Sequence, residues 1–265
     1  MGRLDGKRVL VCGAGQSPGE TIGNGRAMAL LFAREGARVL CVDRLGERAR
    51  ETAEMITAEG GWAASLEADI SQAKGAEAAV AAAVTELGGL DVLVNNVGIG
   101  GGDGPAHLVE EKAFDRILMV NLKGAWLTSR AAIPVMREAG GGVIVNISSL
   151  ASIAGGNQVA YEVSKAAMNR LTTSVAQANA KHGVRCNAIL PGLMDTPMAV
   201  DGIARATGQT PQAVREARSA RVPLGAQMGT AWDTAYAALF LACDESRFVT
   251  GVLLPVDGGM SSRIG

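Results

Sequence analysis

Seven short apolar runs, at 7–12, 37–42, 62–67, 90–94, 142–147, 184–190 and 252–256, constrain this chain more than any other feature. Each has the length of a buried strand, and helical stretches separate them. The helical stretches fall at 25–35, at 47–59, after Asp69, at 110–137 with a break near Gly124, around Tyr161, and at 230–242. Strands that are apolar throughout are covered on both faces, and alternation of this kind joins parallel strands through crossover helices. The pattern predicts an α/β fold with one doubly wound parallel sheet. No linker, low-complexity segment or fixed-period repeat interrupts it, so residues 1–265 read as a single domain. The 35 glycines suit tight strand-to-helix turns, and an aromatic content of 3% suits alanine-packed helices better than a β-sandwich.

In such a sheet, ligands bind beyond the carboxyl ends of the strands. Gly13, Asp43, Asp69, Asn95, Ser149 and Pro191 all fall at those ends. Gly13-Ala-Gly15 follows the first strand and Gly23-Asn-Gly25 opens the first helix. Glycines let a backbone approach a pyrophosphate, and a helix N-terminus offers free N–H groups to it. The literal G-x-G-x-x-G spacing is absent, because Pro18 and Met28 stand where a third glycine belongs. Asp43 ends the second strand; a carboxylate there accepts adenosine ribose hydroxyls and repels a 2′-phosphate, which favours NAD over NADP.

Tyr161 and Lys165 are four apart, so on a helix they share one face. An ammonium beside a phenol favours the phenolate, and a phenol tuned this way exchanges a proton with an alcohol or ketone oxygen. Ser149, at the end of the fifth run, supplies a hydroxyl for the same oxygen. The near balance of 25 basic and 26 acidic residues argues against a nucleic-acid or anionic-membrane surface. Cys12, Cys41, Cys186 and Cys243 lack metal-ligand spacing, so no metal is expected. No signal-like N-terminus or membrane-length apolar run is present, which makes the expected location cytoplasmic.

With these pieces in order, the chain resembles the short-chain dehydrogenase/reductase family over nearly its full length. The resemblance rests on the glycine turn, Asp43, Asp69-Ile70, Asn95-Asn96-Val97-Gly98, Asn121, Ser149, Tyr161-x-x-x-Lys165, Pro191-Gly192-x-x-x-Thr196 and Asp257-Gly258-Gly259. It implies a Rossmann-like sheet of about seven strands in the order 3-2-1-4-5-6-7, with helices on both faces. It also implies an NAD-dependent oxidoreductase interconverting a secondary alcohol and a ketone. Tyr161 would be the general acid/base, and Lys165 would lower its pKa and hold the nicotinamide ribose. Ser149 would orient the substrate oxygen, and Asn121 would prop a relay water. Gly13, Gly15, Ile22 and Gly25 would cradle the pyrophosphate. Asp69 and Ile70 would face the adenine, and Asn95 the adenosine side. Pro191, Gly192, Met194 and Thr196 would grip the carboxamide end. Residues 197–224 would form a substrate lid, and the family usually forms homodimers or homotetramers.

Three features depart from the family pattern. The glycine turn is about six residues long in excess, because residues 16–21 are inserted before Ile22. This length resembles the enoyl-thioester reductase branch, an alternative reading that the four-residue Tyr161–Lys165 spacing opposes. Ser149 precedes Tyr161 by twelve residues, one short of the family's usual separation; Ser148 has the usual one. Cys12 stands where threonine is usual. A catalytically silent dinucleotide-binding regulator is a further alternative, opposed by the intact Asn121, Ser149, Tyr161 and Lys165 set.

Overall fold

The computed structural model describes residues 2–262, so Met1 and residues 263–265, the ends of the expected domain, lie outside the described residues. Seven parallel strands form the main sheet: β1 (Arg8–Cys12), β2 (Arg38–Asp43), β3 (Trp62–Glu67), β4 (Val92–Asn95), β5 (Gly142–Ile147), β6 (Val184–Pro191) and, last in the chain, β9 (Leu253–Val256). Their order is β3-β2-β1-β4-β5-β6-β9, so the order reverses between β1 and β4. Two-residue strands β7 (Met194–Asp195) and β8 (Gly229–Thr230) pair separately. This is the expected Rossmann-like order; the seventh strand is ninth in the chain because those two short pieces intervene.

The inner strands β1, β2, β4, β5 and β6 are buried on both sides, with alternate residues serving opposite faces, while the edge strands β3 and β9 are partly exposed. Val9 and Val11 of β1 join one core with α1 (Asn24–Arg34), α2 (Gly46–Ala58) and α9 (Ala231–Ala242). Leu10 and Cys12 join the other with α3 (Ala73–Leu87), α5 (Gly124–Glu138) and α6 (Val159–Asn179). Cys12, Cys41 and Cys186 are packed as small apolar side chains, and burial pushes each thiol up to about 12. Helices α7 (Asp201–Thr207) and α8 (Pro211–Ser219) form a small separate core with Val200, Val222 and Met228.

One strand boundary shifts, and the expected break near Gly124 takes a definite form. The fourth strand starts at Val92 and not at residue 90, although the Asp91 backbone still bonds to Arg8 and Val143, and the Asp91 carboxylate is taken by Arg8. The Arg8 backbone N–H and Nε donate to Asp91 Oδ2, each at 2.8 Å, and Nη2 donates to Oδ1 at 2.7 Å. The helical stretch at 110–137 is α4 (Glu111–Leu118), a π-helical turn (Met119–Lys123) and α5. The break therefore lies just before Gly124 and contains Asn121. A π turn adds a residue to the helix circumference and turns one side chain inward.

Candidate active site

The carboxyl ends of β1, β2, β4, β5 and β6 share one rim of the sheet, and most of the expected residues lie along it. At the β5 end, the chain turns at Ser148-Ser149 and returns as α6, which carries Tyr161 and Lys165. The two serines face different ways. Ser148 is buried and its hydroxyl donates to the Lys165 carbonyl at 3.1 Å, whereas the Ser149 hydroxyl lies near enough to the Tyr161 phenol to draw its pKa down. Ser149 Oγ also accepts from the Ala151 backbone N–H at 3.1 Å, which fixes its rotamer.

Lys165 is 2% exposed, and its Nζ donates to the Ile147 carbonyl at 2.8 Å. The nitrogen lies 5.8 Å from the Tyr161 ring centroid. Burial pulls the ammonium down to about 8. Burial also pushes the Tyr161 phenol above its ordinary value, and the group that draws it back is the Ser149 hydroxyl. Desolvation dominates the Tyr161 phenol and Lys165 is not among the groups that draw it down, its nitrogen being directed at the Ile147 carbonyl.

Asn121 is fully buried. Its Oδ1 accepts from the Ile99 N–H at 2.8 Å, and its Nδ2 donates to the Ile99 carbonyl and to Ser164 Oγ, both at 3.0 Å. Ser164 Oγ donates to the Tyr161 carbonyl at 2.7 Å. The Asn121 side chain ties the loop after β4 to the helix carrying Tyr161, with both amide hydrogens used.

At the other end of the rim, Gly13 has φ +80, and a Cβ on Gly25 would collide with its carbonyl oxygen. The first turn of α1 thereby sits directly on the end of β1, and its N-cap, Gly23, supplies no side chain. Free N–H groups at a helix start, above a backbone without Cβ atoms, suit a phosphate. A Cβ on Gly15 would lie 2.8 Å from Asp43 Oδ2, so backbone and carboxylate meet at the tip of β2. Asp43 Oδ1 accepts from the Leu45 N–H at 3.0 Å. Ile22, between insertion and helix, packs on the core. Asp69 is exposed at the end of β3, and its Oδ1 accepts from Ser71 N–H and Oγ–H. Pro191 and Met194 are buried beside Thr196, and a Cβ on Gly192 would lie 2.7 Å from Asp257 Cα.

Two expected contacts are not presented to the groove by their side chains. Asn95 is 1% exposed; its Nδ2 donates to Asn146 Oδ1 at 2.9 Å and its Oδ1 accepts from Thr128 Oγ1 at 2.6 Å. It ties β4 to β5 and α5 inside the protein. Ile70 is buried in the core against Gly124.

Two other residues prove more exposed to function than any motif suggests. Asn96, the neighbour of Asn95, donates from Nδ2 to the Gly13 carbonyl at 2.8 Å and so braces the glycine turn. Strand alternation is the signal, since consecutive asparagines at a strand end point to opposite sides. Asp103, in the glycine-rich loop after β4, caps α6 from a distance. Its Oδ2 accepts from the Tyr161 N–H at 2.7 Å, and its Oδ1 accepts from Ala160 and Gly104 N–H groups at 3.2 and 2.8 Å. Nothing in the sequence links Asp103 to a helix start 58 residues away. Among the described residues, no group of three or more His, Cys, Asp or Glu side chains is placed to hold a metal ion.

Residues 20–261 match the family model described as enoyl-(acyl carrier protein) reductase. A solved structure of a short-chain dehydrogenase/reductase from Burkholderia xenovorans is 42% identical, covers 100% of both chains and superposes with a TM-score of 0.91. The 2-(R)-hydroxypropyl-CoM dehydrogenase of Xanthobacter autotrophicus is 38% identical over 248 residues, which is 92% of this chain and 96% of that one. A 7α-hydroxysteroid dehydrogenase solved with NADH and a 7-oxo bile acid conjugate is 32% identical, with a TM-score of 0.86 over 97% of this chain and 95% of that one. The chain belongs to the short-chain dehydrogenase/reductase family.

Proposed function

We propose that the protein is an NAD-dependent dehydrogenase that interconverts a secondary alcohol and a ketone, with Tyr161 as general acid/base. The observation that carries this reading is Tyr161 and Lys165 one turn apart on α6 at the sheet rim, the lysine buried and the Ser149 hydroxyl close enough to draw the Tyr161 phenol down. The named relatives support it, since both dehydrogenases above have names that specify hydroxyl groups.

A nicotinamide dinucleotide fits the residues present. The uncapped start of α1 over Gly13 and Gly25 would take the pyrophosphate, and Asp43 the adenosine ribose. Asp43 favours NAD over NADP, because a second anion beside its carboxylate is repelled. Gly15, Ile22, Asp69, Pro191, Gly192, Met194 and Thr196 would line the same groove, with Ile70 contributing from the backbone. When bound, the nicotinamide accepts the hydride from the alcohol carbon. Ser149 orients the substrate oxygen, and Tyr161 takes its proton. Lys165 would hold the nicotinamide ribose and set a positive charge where the phenolate develops. Because the phenolate is the active base, oxidation rises with pH and ketone reduction falls.

The 197–224 segment, between β7 and β8, would close over the substrate. An enoyl-thioester reductase is the second reading, favoured by the family model's description and by the long glycine turn. Turnover of a panel of cyclic and acyclic secondary alcohols with NAD and NADP, run beside reduction of a crotonyl thioester with NADH, separates the two. Alcohol oxidation with NAD ahead of NADP is the expected result; thioester reduction alone would replace it with the second reading.

A further inference from the structure

The insertion in the glycine turn makes contacts that the proposed chemistry does not use. Residues 16–21 are closed on themselves by Gln16, whose Nε2 donates to the Thr21 carbonyl at 3.3 Å and whose Oε1 accepts from the Gly23 N–H at 2.9 Å. The closed loop leans across the groove onto the segment after β6. Gly19 packs so tightly there that a Cβ would lie 2.7 Å from Pro197 Cβ and would collide with Asp201 Oδ2. Thr21 Oγ1 donates to Asp195 Oδ1 at 3.5 Å. Arg215 of α8 completes the bridge: Nη1 donates to Glu20 Oε2 at 2.8 Å, and Nε donates to Asp195 Oδ2 at 3.1 Å.

These contacts join the two walls of the proposed dinucleotide groove. The insertion belongs to the β1–α1 turn, on the pyrophosphate side. Asp195 lies between Met194 and Thr196, on the nicotinamide side. A dinucleotide reaching from Asp43 to Tyr161 would have to cross this join.

We propose that residues 16–21 are a strap across the cofactor groove and that Arg215 is its latch, so that the dinucleotide enters and leaves only when the Glu20–Arg215 pair opens. This rests on the reading of the groove as a dinucleotide site. The chemistry of the latch suits repeated opening. Glu20 is 69% exposed, so the pair stays wet on one side and is weakened by salt. Arg215 Nη2 and Asp201 Oδ2 are buried without hydrogen-bond partners. An unpaired buried polar atom disfavours the closed state, so closure is held by a narrow margin. Arg215 is a positioning residue for the cofactor: it touches the strap and Asp195 and acts through them.

The test is the rate of NADH release, followed by fluorescence in a stopped-flow displacement experiment. Glu20→Ala and Arg215→Ala are each expected to speed release by about fivefold to tenfold, and Glu20→Lys by more, since it repels Arg215. The double alanine variant should release no faster than Arg215→Ala, because both changes open one latch. Raising salt from about 50 mM to about 500 mM should speed release from the wild type and leave Glu20→Ala unchanged, a response that a purely structural role would not give. The Glu20 variants lie on an exposed side chain and carry the test even if Arg215→Ala fails to fold. Release rates within twofold of wild type in the Glu20 variants, or independent multiplying effects in the double variant, would overturn the latch while leaving the dinucleotide site standing. A wild-type protein that binds no NADH would overturn both.

Discussion

Lys165 carries the sharpest conflict between stability and chemistry in the molecule. An ammonium pulled from its usual value to about 8 by burial costs folding free energy, because the unfolded chain solvates it freely. Below pH 8 both states are protonated and the cost is full. Between pH 8 and the unfolded value, the native state gives up the proton first, so the cost fades as pH rises. Lys165→Met should therefore stabilise the fold at pH 7 by about 1–3 kcal/mol, after allowing for the lost bond to Ile147. The advantage should shrink as melts are repeated from pH 8 to pH 10, while turnover is lost throughout. Destabilisation at pH 7 would contradict the assignment of burial as the dominant influence. The motif spacing made this residue legible, but its environment was not. The sequence places Lys165 one helical turn from Tyr161, yet which oxygen its ammonium faces depends on where β5 ends, a matter of tertiary packing.

At the scale of elements, α6 is held from both ends of its first turn. Asn121 reaches it through Ser164 from inside a π turn, and Asp103 caps it from the loop after β4. Asp103→Ala should cost about 0.5–2 kcal/mol in thermal or denaturant melts, the usual range for a lost cap. Because the capped N–H groups include that of Tyr161, kcat should fall with little change in NADH affinity. Weakened NADH binding with unchanged kcat would show that the loop serves the cofactor instead. Strand positions were legible because apolar runs buried on both faces admit few alternatives. The π turn was legible only as an irregularity near Gly124, since periodicity detects a break and not its geometry. Asn95 and Asn96 show a further limit. Both stand at the strand end that binds ligands, but strand alternation sends one into the core and the other to the glycine turn. Asp103 was not legible as a cap at all: its bond spans two elements, and local sequence encodes no such pairing.

For the molecule as a whole, one rim gathers the chemistry while large apolar side chains stand exposed elsewhere. Trp126 on α5 and Val163 on α6 are exposed on one side, and Tyr236, Phe240 and Phe248 on another, with Phe248 98% exposed. Large apolar side chains left in water mark contact surfaces. We propose association into a homodimer or homotetramer through them, as the family resemblance implies. Phe248→Glu should lower the mass seen by light scattering on a sizing column, with the melting temperature of the subunit little changed; an unaltered mass would exclude that surface. No helix among the described residues is long and apolar enough to cross a membrane. The central claim, that the Tyr161 hydroxyl moves the proton of the reaction, is tested most directly by Tyr161→Phe. Its NAD-linked turnover of an alcohol should be measured beside its affinity for NADH. The account predicts affinity within about twofold of wild type and turnover reduced by about a thousandfold or more. Turnover within about tenfold of wild type, with NADH still bound, would contradict it.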